Sequence, residues 1–146
     1  MPLYFAYGAN MDILAMADRC PRSNSVGVGR LASTRFFISR DGYASIRRER
    51  DAFVHGLIWD LAWADIPTLD RFEDLASGLY RKVRRPVLRA GGPTQAMIYI
   101  GRTDENGPPQ PGYLEPIIAS AEALGFPKPY IAELKSWMPV RGPLKR

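Results

Sequence analysis

Residues Phe53-Val54-His55-Gly56-Leu57-Ile58-Trp59-Asp60-Leu61 have the pattern of a β-strand that is buried on both faces. Two sets of side chains alternate along this stretch: Phe53, His55, Leu57, Trp59 and Leu61 on one face, and Val54, Gly56, Ile58 and Asp60 on the other. An alternation of period two is typical of a strand, and apolar residues in both sets indicate burial on both sides. The sequence therefore predicts that this strand is central in its sheet.

The chain on either side of this strand also favours β-structure. Leu3–Tyr7 is an apolar, aromatic run that ends at Gly8, which predicts a buried strand entering a turn. Further strands are predicted at Val26–Leu31, Thr34–Ser39, Tyr43–Ile46, Tyr80–Leu88 and Gln95–Ile100. The turn residues Ala90-Gly91-Gly92-Pro93 join the last two strands into a hairpin.

Helices are predicted between and after these strands. Asp12 is a candidate N-cap for a short helix that Pro21 terminates, and Asp65 is one for a helix through Glu73. After a proline-rich connector at residues 107–112, apolar residues recur at helical spacing in two groups: Leu114, Ile117, Ile118, Ala121 and Leu124, then Ile131, Leu134 and Met138. We expect a single α+β domain over residues 1–146, built as a small mixed β-barrel or strongly curved sheet flanked by helices.

Composition limits the classes of function. The 146 residues carry a formal net charge of +5, with basic clusters at residues 47–50, 81–85 and 141–146. No aromatic-interleaved RNA-binding pattern accompanies these clusters, so we expect a solvated basic face rather than a nucleic-acid partner. Cys20 is the only cysteine, and no apolar run approaches the ~20 residues of a membrane span. A cytoplasmic protein with no membrane partner is predicted.

The segment Tyr7-Gly8-Ala9-Asn10-Met11 is the first candidate for chemistry. Here a buried strand breaks into a loop that contains Gly8 and Asn10, residue types that tolerate unusual backbone angles. Such a loop can direct backbone N–H groups at a carboxylate or an oxyanion. An ordinary turn is the commoner explanation of a Gly and an Asn after a strand.

Glu73 is the second candidate. It lies four residues after Leu69 and seven after Ile66, so a persisting helix would place it on the apolar face. Burial raises the pKa of a carboxyl group toward the range that is useful for proton transfer at neutral pH. Alternatively the helix ends earlier and Glu73 is a solvated end residue; periodicity alone favours neither interpretation.

The remaining chemically able side chains have structural explanations. His55 lacks neighbouring ligands at metal spacing, and Cys20 has no histidine near it in sequence, so neither indicates a metal centre or a nucleophile. Core packing accounts for Tyr80, Tyr99 and Tyr113, although their hydroxyls could serve a pocket.

Taken together, several short motifs make the chain resemble the γ-glutamylcyclotransferase family, also called AIG2-like. The motifs span most of the chain: Leu3-Tyr4-Phe5-Ala6-Tyr7-Gly8-Ala9-Asn10-Met11, Val54-His55-Gly56-Leu57-Ile58-Trp59, Leu69-Asp70-Arg71-Phe72-Glu73 with Gly78-Leu79-Tyr80, and Pro108-Pro109-Gln110-Pro111-Gly112-Tyr113. The resemblance implies a small β-barrel flanked by helices, and an enzyme that cyclises a γ-glutamyl group to 5-oxoproline with release of an amine.

The resemblance also implies roles for particular residues. Glu73 matches the family's catalytic glutamate, and the loop Tyr7, Gly8, Ala9, Asn10 and Met11 matches its γ-glutamyl-binding loop. By position Tyr80, Tyr99 and Tyr113 match pocket tyrosines that bind substrate. No metal or organic cofactor is implied.

Two positions depart from the family pattern. Ala9 stands where the family carries serine, which removes a hydroxyl from the loop, and Asp74 stands where many members have glycine. A carboxylate beside Glu73 would raise the pKa of Glu73 further if the two side chains approach each other.

Other functions remain open on the sequence. Under the hypothesis that the protein is an enzyme, its substrate is either a γ-glutamyl amino acid or a γ-glutamyl amine. A non-catalytic module that binds a small molecule or a partner through the same pocket is the alternative from another class. A homodimer is compatible with the sequence, but no residue argues for one.

Overall fold

The computed structural model describes residues 2–139, and in it the strand recognised from its alternating pattern lies between two others. Five strands form the sheet: β1 (Leu3–Ala6), β2 (Asn24–Ile38), β3 (Ala44–Asp60), β4 (Tyr80–Arg89) and β5 (Gly92–Gly101). β3 pairs antiparallel with β1 on one side and with β2 on the other. The predicted central position of this strand is confirmed.

The sheet closes on itself in the order β1-β3-β2-β4-β5. The β4–β5 hairpin pairs with β2 through Arg30 and Leu88, and β5 closes the barrel by pairing parallel with β1, where Tyr4 faces Met97. The one parallel junction makes the barrel mixed, as the α+β prediction allowed. Every strand therefore has a neighbouring strand on both sides in the closed order.

The four short strands predicted between residues 26 and 61 are two long ones. Their predicted ends nevertheless have a physical counterpart, because Ala32 pairs with Phe53 while Thr34 pairs with Arg48. Ser33 alone therefore opposes residues 49–52, in a bulge where Ser33 and Asp51 have positive φ angles of 55° and 63°. A bulge bends a strand without ending it, so the β2–β3 hairpin can curve around the barrel.

Within residues 2–139, four α-helices and two 3₁₀ turns flank the barrel. The helices are α1 (Ile13–Arg19), α2 (Ile66–Phe72), α3 (Leu114–Ala123) and α4 (Lys128–Lys135), and the 3₁₀ turns cover Ala9–Met11 and Trp63–Asp65. Asp12 caps α1 as predicted, since its carboxylate accepts hydrogen bonds from the backbone N–H groups of Leu14 and Ala15 at 3.0 and 3.2 Å. Asp65 precedes α2 but does not cap it; its buried carboxylate accepts from Arg22 N and Ser23 Oγ.

The predicted helix through Glu73 ends one residue earlier, in a Schellman motif. Leu75 N donates to Asp70 O at 3.1 Å, and Asp74 N donates to Arg71 O at 3.1 Å. This motif requires a left-handed residue after the helix cap, usually glycine. Asp74 occupies that position with φ of 53°, which explains why glycine suits the same place in other sequences.

Gly56, in the central strand, allows β1 to approach β3 closely. A Cβ atom at Gly56 would lie 2.5 Å from the Ala6 carbonyl oxygen and 2.7 Å from the Phe5 ring. Phe5 is fully buried in the core. Glycine at this position is therefore required by packing, not by backbone angle.

We predict that Gly56→Ala lowers the free energy of unfolding by about 2–3 kcal/mol, because overpacked cores must displace backbone or rings. Urea unfolding measures the change. Gly91→Ala is the control: Gly91 has φ of 91° but no atom within 4 Å of an added Cβ, so only strain of about 1 kcal/mol is expected. Equal losses in the two variants would contradict the packing argument.

We also predict that Asp74→Gly raises the free energy of unfolding by about 0.5–1 kcal/mol, because glycine adopts the left-handed conformation without strain. Asp74→Ala should instead lower it, since alanine keeps the strain and lacks the polar side chain that helps aspartate in this region. Urea unfolding of the two variants and the unsubstituted chain tests the order. Greater stability of the alanine variant would refute it.

Candidate functional site

A cavity of about 670 Å³ lies at one end of the barrel, where β1 and β5 end and β3 and β4 begin. Its walls are the loop after β1, the C-terminal ends of α1 and α2, and Tyr113, the N-cap residue of α3. The lining residues are Tyr4, Tyr7, Gly8, Ala9, Arg19, Tyr43, Ala44, Arg71, Phe72, Glu73, Asp74, Leu79, Tyr80, Tyr99 and Tyr113.

Most of the predicted site residues meet at this cavity. Glu73 lies with Tyr7, Gly8, Ala9, Tyr80, Tyr99 and Tyr113 in its wall. Residues that are far apart in the sequence, on five different elements, are thus brought together. Asn10 and Met11 are the exceptions, because both are buried behind the loop and neither lines the cavity.

Asn10 supports the loop through three contacts. Its side-chain amide donates to Tyr4 Oη at 3.1 Å, its Oδ1 accepts from Arg19 Nη1 at 2.5 Å, and its carbonyl accepts from Trp59 Nε1 at 3.0 Å. Met11 is 1% exposed within the core. The geometry gives both residues a place in holding the loop rather than in touching a molecule in the cavity.

The loop contains a 3₁₀ turn over Ala9–Met11. Gly8 has φ of −123° and ψ of −131°, outside the helical and extended regions, whereas Asn10 is not among the residues with positive φ. Met11 N donates to Gly8 O and Asp12 N donates to Ala9 O. Within residues 2–139 the N–H of Ala9 donates to no other protein group, as expected for the first turn of a helix, and Ala9 lines the cavity.

Glu73 is the C-cap residue of α2 and lies in the cavity wall. The helix ends at Phe72, yet Glu73 is half-buried and not the solvated end residue that an early helix end suggested. Burial raises the pKa of Glu73 to about 7, opposed only by the attraction of Arg19. Asp74 does not contribute to this shift, so the expected effect of a second carboxylate at that position is absent.

Six tyrosines line the cavity with Glu73, and five of them respond to its charge. Tyr7 Oη donates to the Tyr99 carbonyl at 2.5 Å and Tyr80 Oη donates to the Ala44 carbonyl at 2.5 Å, whereas Tyr113 Oη accepts from Ala44 N at 3.0 Å. The charge of Glu73 helps raise the pKa of every one of the five, in addition to burial: Tyr4, Tyr7, Tyr80, Tyr99 and Tyr113. Neutral phenols therefore form the wall that faces Glu73.

Several lining residues were not identified from the sequence. Arg19 is the most important of them; its guanidinium lies 3.6 Å from the centre of the Phe72 ring and bonds Asn10. Its place in the last turn of α1 carried no signal for a cavity, because a basic residue there is explained by the helix dipole. Tyr4 and Tyr43 carried no signal, since apolar aromatic positions in a strand look the same whether they face a core or a cavity.

His55 and Cys20 both lie outside the cavity lining. His55 packs against the rings of Phe126 and Tyr130, with centroids 5.5 and 4.7 Å apart. Burial raises the pKa of the Cys20 thiol to about 11. In the part of the chain that the structure describes, no three His, Cys, Asp or Glu side chains are grouped to hold a metal ion, and no helix is long and apolar enough to cross a membrane.

Comparison with known proteins gives consistent relatives. Gamma-glutamylcyclotransferases from Mus musculus and Homo sapiens are 28% and 27% identical to this chain, over 94% of it and 79% of each relative. A solved structure named gamma-glutamyl cyclotransferase superposes with a TM-score of 0.86 at 26% identity, covering 99% of this chain and 92% of its own. The family model described as AIG2-like matches residues 53–134, which is more than half of the chain. The chain belongs to the AIG2-like family.

Proposed function

We propose that this protein is a γ-glutamylcyclotransferase, which converts a γ-glutamyl amino acid or a γ-glutamyl amine into 5-oxoproline and the free amine. The observation that carries the proposal is Glu73, a half-buried carboxyl group with a pKa of about 7 in a cavity that six tyrosines also line. Relatives over nearly the whole chain have the name of this activity.

The first step of the reaction requires a base. The substrate's α-ammonium group transfers a proton to the Glu73 carboxylate, and the freed amine attacks the γ-carbonyl carbon of the same molecule to close a five-membered ring. Because both reacting groups belong to one substrate, the enzyme needs to hold the chain folded, not to bring two molecules together. A carboxyl group with a pKa near 7 is half ionised at neutral pH and can accept that proton.

The second step requires an acid. When the tetrahedral intermediate collapses, the bond between the γ-carbonyl carbon and the leaving nitrogen breaks, and protonated Glu73 returns its proton to that nitrogen. The new ring nitrogen still carries a second proton of the original ammonium group, and this proton passes through the Glu73 carboxylate to the released amine as the lactam forms. The carboxylate is regenerated, and no water, metal or electron enters the balance. One residue thus serves as base and then as acid, which a carboxyl group with an unshifted pKa would do poorly.

The wall of the cavity supplies the remaining interactions. The Ala9 N–H, which has no protein partner within residues 2–139, is a donor for the substrate carboxylate or for the developing oxyanion. Tyr7 and Tyr80 donate their protons to carbonyl groups of the protein, so toward the substrate they offer acceptor oxygens. Oxygen acceptors around Glu73 suit the α-ammonium group.

The domain organisation, location and partner of the enzyme are proposed from the same residues. We propose that residues 1–146 form one catalytic domain, because one core cluster includes residues of all five strands and of the helices α1 to α4. The buried free thiol of Cys20 is compatible with a cytoplasmic location. The small γ-glutamyl molecule is the partner that the cavity fits.

We predict that the purified protein releases 5-oxoproline from γ-glutamyl substrates and that Glu73→Gln lowers kcat/KM by at least about 10³-fold, because glutamine cannot accept the proton. The kcat/KM of the unsubstituted enzyme should rise with pH through an apparent pKa near 7, since the carboxylate is the active form of the free enzyme. Product release is measured across γ-glutamyl amino acids and γ-glutamyl amines.

Glu122→Gln is the matched control. Glu122 lies on the surface in α3, where it pairs with Lys135 at 3.6 Å, and its loss should leave kcat/KM unchanged. Release from a single class of substrate would identify the leaving group. Binding of these molecules without any release would sink the cyclotransferase proposal and favour a binding module.

A buried base has a cost in stability, which can be measured without turnover. The pKa of Glu73 is about 7 when folded against 4.5 for the free group, so its favourable contribution is complete below pH 4.5 and is lost as pH rises through 7. We predict that Glu73→Gln gains up to about 3 kcal/mol of stability relative to the unsubstituted chain between pH 4 and pH 8. Urea unfolding at both pH values checks this, and a pH-independent difference would contradict it.

A further inference from the structure

Within residues 2–139 the Glu73 side chain makes no hydrogen bond or ion pair with another protein group. Its position at the cavity is therefore set by the backbone that carries it. A catalytic base that is misplaced by about 1 Å loses much of its rate advantage. The groups that fix this stretch of backbone thus bear on catalysis, if the proposed function holds.

The Glu73 backbone lies within the turn that ends α2, and Asp70 closes that turn. The carbonyl of Asp70 accepts from Leu75 N at 3.1 Å, while Glu73 N donates to Leu69 O at 3.0 Å. Glu73 is thus enclosed between two hydrogen bonds of the helix end. Any movement of Asp70 moves the turn, and Glu73 with it.

The Asp70 side chain ties this turn to the barrel. Its Oδ1 accepts from Tyr99 Oη at 2.5 Å, and its two oxygens lie 3.0 and 3.1 Å from Lys82 Nζ. Tyr99 of β5 and Lys82 of β4 face each other in register. One carboxylate therefore joins the end of α2 to two neighbouring strands.

The tie reaches the cavity wall through Tyr99. Tyr99 is 2% exposed, its ring packs edge-on against Tyr4 with centroids 5.6 Å apart, and its carbonyl accepts from Tyr7 Oη. The group that holds Asp70 is thus itself fixed by the tyrosines that surround Glu73. A change at Asp70 or at the Tyr99 hydroxyl would free the helix end from this wall.

We propose that Asp70 is a positioning residue that holds Glu73 in the cavity by clamping the C-terminal end of α2 to Tyr99 and Lys82. The claim that Asp70 affects catalysis rests on the proposed function, whereas the claim that Asp70 fixes the position of Glu73 does not. Asp70 does not line the cavity and touches no reacting atom. Its effect is exerted through the place it gives to Glu73.

The clamp has a consequence for the titration of Glu73. The charged and titratable groups around the carboxyl are Arg19 of α1, Arg71 and Asp74 of its own segment, and the phenols of Tyr4, Tyr7, Tyr43, Tyr80, Tyr99 and Tyr113. Burial among these groups, not a charge, raises the pKa of Glu73. A loosened helix end would admit water and lower this pKa toward its ordinary value.

The experiment compares Asp70→Asn and Tyr99→Phe with Lys82→Arg and Tyr130→Phe. The first two should lower kcat at least about tenfold with a KM change below about threefold, and should move the acid limb of kcat/KM down by about one pH unit. Lys82→Arg keeps a cation beside Asp70 and should lower kcat less than Asp70→Asn does. Tyr130, a buried tyrosine outside the cavity whose hydroxyl donates to His55 O, controls for the loss of a phenol.

A second readout does not depend on turnover. The pKa of Glu73 is obtained by linkage, from the pH dependence of the stability difference between each variant and the same variant carrying Glu73→Gln. A lowered Glu73 pKa in Asp70→Asn or in the isosteric Tyr99→Phe supports the clamp, even where no 5-oxoproline is formed and the proposed function has failed. Unchanged pKa and acid limb in folded Tyr99→Phe would overturn the clamp and leave the cyclotransferase proposal standing.

Discussion

The pairing of β3 with β1 and β2 on its two sides is the constraint on which the site depends. Because β3 is shared, the short strand β1 is held in the barrel wall and the loop after it is delivered to one end. Closure through the parallel β1–β5 contact brings the ends of β1 and β5 to the same place. Across this junction Tyr4 of β1 packs edge-on against Tyr99 of β5, with ring centroids 5.6 Å apart.

Around that frame the chain places one carboxyl group where burial raises its pKa. Glu73 lies at the end of α2 and not within it, so its side chain is not packed in the core. The hydrogen bonds of the helix end fix its backbone. Asp74 accepts a left-handed conformation to complete the turn. Local strain of this kind persists where the surrounding structure determines it, which here includes the tie from Asp70 to the barrel.

The sequence predicted the strongly periodic elements well and the irregular ones poorly. The central strand, the β4–β5 hairpin and the two C-terminal helices follow from alternation, glycine turns and helical spacing, which are local signals. Residues 32–33 and 47–52 were predicted as breaks because a bulge with two positive φ angles has the composition of a loop. Its continuity as a strand depends on pairing that no local pattern records.

The site was predictable to a similar degree. Motifs identified Glu73, Tyr7, Gly8 and Ala9 of the cavity wall but not Tyr4 and Tyr43, because a tyrosine has the same sequence signal in a core or in a cavity.

Arg19 is a cavity residue that no motif identified, and it acts on Glu73 directly. Its guanidinium, which also contacts Asn10 Oδ1 and the Phe72 ring, lowers the pKa of Glu73, but burial raises that pKa by more. Because the facing phenols are neutral, burial dominates, and the carboxyl group keeps a pKa near the pH at which it must both take and return a proton.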